Sequence, residues 1–414
     1  MDKKTEQLYK ERAKRISDAI QFKVPDRVPL EIAFQYFPAK YVGIPASAAY
    51  YDCDGWLAAC KKTLLDFDVD IGGVQPFFPG KVLEYIEPRS IRWPGYGPTE
   101  LNTHQAIEGE HMKADEYDIF LKNPADFMLR LYMPRVSGAM EPFKMFPQLS
   151  LLGAGYYGAL AIADAFTNPE IARSIRTLQK AGREFRKWRP KIMKFNREIQ
   201  KLGFPPVGTG MGLAPFDAVS DSLRGMHGTM LDMFRQPDKL LEALEEILKG
   251  MIARIRPAVP GSDNRVMIPT HRGSEGFMSL KQFETFYWPT MKRFIEALIE
   301  RGLTPCLFWE GDYNSRLEYL LELPKGKVFS HFDTTDIFRA KEVLNGHHSI
   351  GGNFPCSLLQ SGTPDDVKAL AKKMIDVVAK DGGFIMSTRS PVDDADPVNL
   401  KTLIDFTKEY GVYN

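Results

Sequence analysis

The chain has 414 residues, 44% of them hydrophobic and 26% charged, which is enough for a large buried core in one big α/β domain or two ordinary ones. Lysine and arginine total 54 against 53 aspartates and glutamates, and with no basic block the chain is a poor match for a nucleic-acid backbone. No apolar run approaches the roughly 20 residues that span a bilayer. The first residues are charged rather than signal-like, and Cys53, Cys60, Cys306 and Cys356 are too few to staple so long a chain. The expectation is a cytoplasmic protein with no membrane partner.

Residues 1–24 read as a helical extension that ends before Pro25, and 25–414 as a single domain. Short apolar runs at 27–32 and 69–74 read as buried strands, with a helix over 46–66 between them. The stretch 76–110 is rich in proline, glycine and aromatics and too long for an ordinary connection. It reads as a hairpin-bearing insertion over a pocket. Further strands are expected at 149–152 and 206–210, and helices over 168–202 and 237–256. The C-terminal half repeats one unit: strands at 265–268, 304–308, 327–330, 348–351 and 383–386, followed by helices over 279–301, 313–323, 335–344, 363–380 and 397–410. Short apolar strands that alternate with amphipathic helices argue for a parallel sheet with helices outside. The count suits a (β/α)8 TIM barrel, with the N-terminal helical extension and the long early insertion added to it. A doubly wound open sheet is the alternative, but no Gly-x-Gly-x-x-Gly opens a helix after the first strand.

In a barrel, chemistry sits where strands end. His271 and Arg272 follow the 265–268 strand, and Glu310 and Asp312 follow 304–308. His331 and Asp333 follow 327–330, Asn353 and Cys356 follow 348–351, and Ser387, Thr388 and Arg389 follow 383–386. Asp312 and Asp333 also suit plain helix caps, whereas histidine is not a favoured cap. Zinc takes His, Cys and carboxylate ligands and keeps one position open at catalytic sites. Glu310 and His331 lie 21 residues apart, one βα repeat, so their side chains can meet across neighbouring strands, with Cys356 one repeat further on. Trp309 and Phe332 flank these ligands and would wall an apolar pocket. Cys306 falls inside a strand, and Cys53 and Cys60 share a helical pattern; all three read as packing.

Several segments resemble the uroporphyrinogen decarboxylase superfamily. They are Pro25-Asp26-Arg27-Val28-Pro29, Asp217 with Leu223-Arg224-Gly225, His271-Arg272-Gly273-Ser274-Glu275, Gly352-Asn353-Phe354-Pro355, and Leu358-Leu359 with Gly362-Thr363-Pro364. The resemblance implies a distorted (β/α)8 barrel. It is closer to the branch that moves methyl groups to corrinoid proteins than to true decarboxylases, because the early strand 71–76 has no acid at its end. The His-x-Cys pair of many zinc methyltransferases is replaced by Phe308-Trp309-Glu310. The Glu310 and His331 spacing resembles the enzymes that demethylate aryl methyl ethers; the further upstream Glu of that group is out of register, Glu296 being nearest.

The resemblance therefore implies a zinc-dependent methyltransferase that passes a methyl group from a methoxylated, aromatic small molecule to the cobalt of a corrinoid on a partner protein. Glu310 and His331 are the expected catalytic residues and, with Cys356, the expected zinc ligands. His271, Arg272, Trp309, Asp333, Asn353 and Arg389 are expected to bind substrate. The alternative is a metal-free decarboxylase or lyase that uses Arg272 and Arg389 to hold carboxylates. A homodimer is compatible with the sequence, which does not fix oligomeric state.

Overall fold

Eight parallel strands form one sheet in the computed structural model, which describes residues 3–73, 78–98, 100–148, 155–206, 208, 210–260 and 263–413. They are β1 (Leu30–Ala33), β2 (Ile71–Gly73), β3 (Gly210–Met211), β4 (Arg265–Thr270), β5 (Thr304–Trp309), β6 (Phe329–Phe332), β7 (Ser349–Phe354) and β8 (Phe384–Thr388). Their order across the sheet is β2-β1-β8-β7-β6-β5-β4-β3, and every neighbouring pair is parallel. With β1 beside β8, this is the cyclic order of a (β/α)8 barrel and not that of a doubly wound sheet. Among the described residues no ladder joins β2 to β3, so the barrel is distorted at that seam. The strand expected over 149–152 lies outside the described residues.

The helices cover the sheet through regular apolar spacing. In the helix Trp288–Glu300 the buried residues Trp288, Met291, Ile295 and Leu298 recur every three or four positions, giving one face to the core. The helix Pro364–Val377 starts with a reciprocal cap between Thr363 and Asp366. Close approach of β6 and β7 requires glycine: a Cβ on Gly352 (φ +93°) would lie 2.4 Å from the Phe332 carbonyl oxygen.

The insertion after β2 carries the expected hairpin, Ile91–Arg92 paired antiparallel with Gln105–Ala106. The N-terminal helix (Lys3–Ile20) packs against the barrel, with Ile16, Ala19 and Ile20 in one cluster with Ile71, Cys306, Phe329 and Ile385. Arg15 and Arg27 both bind Asp70, which is fully buried and also accepts a hydrogen bond from the Leu30 amide at 2.9 Å.

Several strands reach further than the apolar runs imply. β6 extends to Phe332 and contains His331, β7 extends to Phe354 and contains Asn353, and β8 contains Ser387 and Thr388. The polar residues belong to the ladder because a curled, barrel-like sheet gives strand ends an inward face where side chains meet each other rather than water. The helix expected over 313–323 is shorter, a 3-10 turn (Asn314–Arg316) followed by Leu317–Leu320.

Candidate active site

The carboxyl ends of β4 and β5 bring two of the expected residues face to face. Thr270 pairs with Trp309 in register, so His271 and Glu310 leave the sheet side by side. The His271 Nε2 lies 3.7 Å from a Glu310 carboxylate oxygen, and its Nδ1 lies 2.5 Å from Asp221. Asp221, His271 and Glu310 therefore form a continuous row. Hydrogen bonding to Asp221 holds the imidazolium and raises the His271 pKa above its ordinary value, against the pull of burial. Burial pushes the Glu310 carboxyl up, with His271 opposing. Arg272 joins the row: its Nε lies 3.2 Å from Asp221 and 3.0 Å from the Ser220 hydroxyl, and its guanidinium sits 4.9 Å over the Phe277 ring.

What fixes the row is Asp217, a fully buried carboxylate after β3. It accepts the backbone N–H of His271 at 2.8 Å, that of Arg272 at 3.0 Å and the Tyr287 hydroxyl at 2.9 Å. Burial pushes its carboxyl up to about 6, against these donors. The turn that follows passes so close to Tyr287 that a Cβ on Gly273 would lie 2.7 Å from its ring. Asp217 and Asp221 stand four residues apart, about one helical turn, in the helical segment that follows β3. That spacing was the available signal for them, and it is missed when only the later strand ends are read.

The remaining expected residues have other partners. The Asp333 carboxylate accepts the Gly311 N–H at 3.0 Å and so shapes the loop that carries Glu310; burial raises its pKa, with Arg389 opposing. Asn353 donates to the Thr335 carbonyl at 2.6 Å, and the Arg389 Nε donates to the Asn353 carbonyl at 3.3 Å. Trp309 is fully buried and donates to the Ser330 hydroxyl, so its ring belongs to the core.

The three residues expected to hold zinc are not drawn into one cluster. His331 donates its Nε2 proton to the Thr388 carbonyl at 2.9 Å, and burial lowers its pKa to about 4. The Cys356 thiol faces the Ser390 carbonyl at 3.3 Å. Among the described residues no three His, Cys, Asp or Glu side chains stand together as ion ligands. As arranged, this donor set does not fit a three-ligand zinc centre.

A sequence model of the family described as uroporphyrinogen decarboxylase (URO-D) matches residues 195–410, just over half of the chain, and that span contains every residue of the row. A curated uroporphyrinogen decarboxylase from Chlorobium phaeobacteroides is 24% identical over 185 residues, which are 44% of this chain and 52% of that protein. The match thus spans about half the length of that relative. A solved structure of a methyltransferase from Methanosarcina mazei is similar in fold, with a TM-score of 0.58 and 16% identity over 96% of this chain and 98% of that one.

Proposed function

The chain belongs to the uroporphyrinogen decarboxylase family, and from that premise we propose that it is a methyltransferase of the ether-demethylating kind. It takes a methyl group from a methoxylated aromatic molecule and gives it to the cobalt of a corrinoid held by a separate protein. The observation that carries the proposal is the Asp221–His271–Glu310 row at the carboxyl end of the barrel. The likeness in fold to a methyltransferase supports it.

An aryl ether is a poor methyl donor because its leaving group is a strong base, with a conjugate-acid pKa of about 10. The departing oxygen needs a proton as the carbon–oxygen bond breaks. His271 is built to give one: Asp221 fixes the ring through Nδ1 and leaves the Nε2 proton for the mouth of the barrel. The electron pair of the broken bond stays on oxygen, which takes the His271 proton; a corrinoid bound over the mouth of the barrel would supply the nucleophilic pair that accepts the methyl carbon. Glu310 faces the same nitrogen and returns a proton to it after turnover. Arg272 lies beside the row and stabilises the negative charge that develops on the departing oxygen before the proton arrives.

The test is direct. The chain is incubated with a methoxyphenol and free cob(I)alamin, and methylcobalamin and the demethylated phenol are followed together. Equal amounts of both, lost in His271→Ala, are expected. Carbon dioxide release from a carboxylated substrate, with no methylcobalamin formed, would support the second reading, in which Arg272 and Arg389 hold carboxylates for a decarboxylation.

A further inference from the structure

The near-neutral overall charge hides a strongly cationic element. The helix Pro169–Lys201 has eleven lysines and arginines against three glutamates, a net charge of +8, so the rest of the chain carries −7. Arg173, Arg176, Lys180, Arg183 and Lys194 follow one another at spacings of three, four, three and eleven residues, the last being about three turns, which places them along one side of the helix. All five are exposed, and none takes part in an ion pair among the described residues. Lys187 and Lys191 lie on the same line and pair with Glu184 and Asp54.

The helix before it is inverted in its polarity. Tyr156–Thr167 buries only Gly158 and turns Tyr156, Tyr157 and Leu160 outward, at 67, 63 and 60% exposure, while the half-exposed Phe166 packs edge-on against Phe146. Asp164 is its one charged residue. The two helices turn their packed sides toward one cluster, Ala165 from the first and Ile171, Ile175 and Leu178 from the second, against Phe143 and Phe146. Both outward faces therefore look away from the same core.

A convex apolar helix beside a straight row of unpaired cations needs an occupant that is both negative and able to take in aromatic and aliphatic side chains. A second copy related by a twofold axis would set this cationic face close to its own image. A nucleic acid would satisfy the cations and leave Leu160 in water. The headgroup layer of a bilayer satisfies both, with phosphates for the row and an acyl boundary for Tyr156, Tyr157 and Leu160.

We propose that these two helices dock the protein onto an anionic phospholipid surface, the outward face of Tyr156–Thr167 entering the headgroup layer while the cations of Pro169–Lys201 lie against the phosphates. No described helix is long and apolar enough to cross a bilayer, and the contact is with its surface.

The experiment is co-sedimentation of the full chain with extruded vesicles, of phosphatidylcholine alone or with a quarter of phosphatidylglycerol. Sedimentation only with the anionic vesicles is expected, reversed by raising salt from about 0.05 M to about 0.5 M. The pair Tyr157→Ser and Leu160→Ser, and separately the triple Arg176→Gln, Lys180→Gln and Arg183→Gln, should each weaken binding at least about tenfold. Circular dichroism checks that both keep the native fold, and because the substituted side chains are exposed, single substitutions of the same residues serve if a combination does not fold. Three results overturn the proposal: no sedimentation with either vesicle, equal sedimentation with both, or binding that neither set of substitutions weakens. Failure on vesicles with salt-sensitive retention on immobilised polyglutamate would reassign the surface to an acidic protein.

Discussion

Asp221 reaches the chemistry through His271 and Arg272, both of which it binds. Its carboxylate is 2.5 Å from the far nitrogen of the imidazole and touches neither Glu310 nor the place where an ether oxygen would sit. Replacing it by asparagine removes the first cause of the raised His271 pKa, so the imidazolium is lost at lower pH. In Asp221→Asn the alkaline limb of the kcat profile should therefore move to lower pH, whereas His271→Ala should cost about 10² to 10⁴ in kcat across the range. A steady-state pH profile of the two variants checks this, and an unmoved limb in Asp221→Asn would remove the positioning role. The sequence pointed to His271, Arg272 and Glu310 because each directly follows an apolar run. It marked Asp217 only as part of a family-like segment and not as a site residue, because its three donors are two backbone amides and a tyrosine brought in from distant segments. Nor could it show that His331 turns inward to the Thr388 carbonyl, since that depends on the ladder register and not on spacing along the chain.

At the scale of elements, the link between the N-terminal helix and the barrel is electrostatic as well as apolar. Asp70 is wholly buried and takes two arginines and one backbone amide, so its removal leaves Arg15 and Arg27 largely out of water and without that partner. Breaking such a pair from one side costs about 3–5 kcal/mol. Asp70→Ala should lower the urea midpoint accordingly, and amide exchange in Lys3–Ile20 should speed up more than exchange in β5 or β7. The helix was legible from the charged periodicity of residues 1–24, but its role as a cover under the sheet was not, because the partners of Arg15 are 11 and 55 residues away. The repeated βα units were legible for the same reason that they are stable: each strand is a short apolar run and each helix has one apolar face. Their ends were not, because β6, β7 and β8 finish on residues that are polar and still inside the barrel.

For the molecule as a whole, the curled parallel sheet and its helices bury two histidines in neutral form, and this sets a response to acid. Burial lowers His331 to about 4 and His348 to about 3 from an ordinary value near 6.5. Between those values the unfolded chain binds protons that the folded chain refuses, so the stability these groups contribute is present above pH 6.5 and is lost as pH falls through the folded values. Asp217 and Asp393, both pushed up to about 6 by burial, act in the opposite sense: their contribution is present below the ordinary aspartate range and is lost as pH rises through 6. The total slope is therefore a partial cancellation, and a single histidine is best read as a difference. His331→Gln keeps a donor for the Thr388 carbonyl and removes the titration. By the free energy of one pKa unit, the native chain should lose about 3 kcal/mol relative to this variant between pH 7 and pH 4. Urea unfolding of both proteins at the two pH values measures that difference directly. Parallel stability curves would mean that His331 takes up its proton within the folded barrel at no cost, and the inward, neutral placement of its ring would have to be given up.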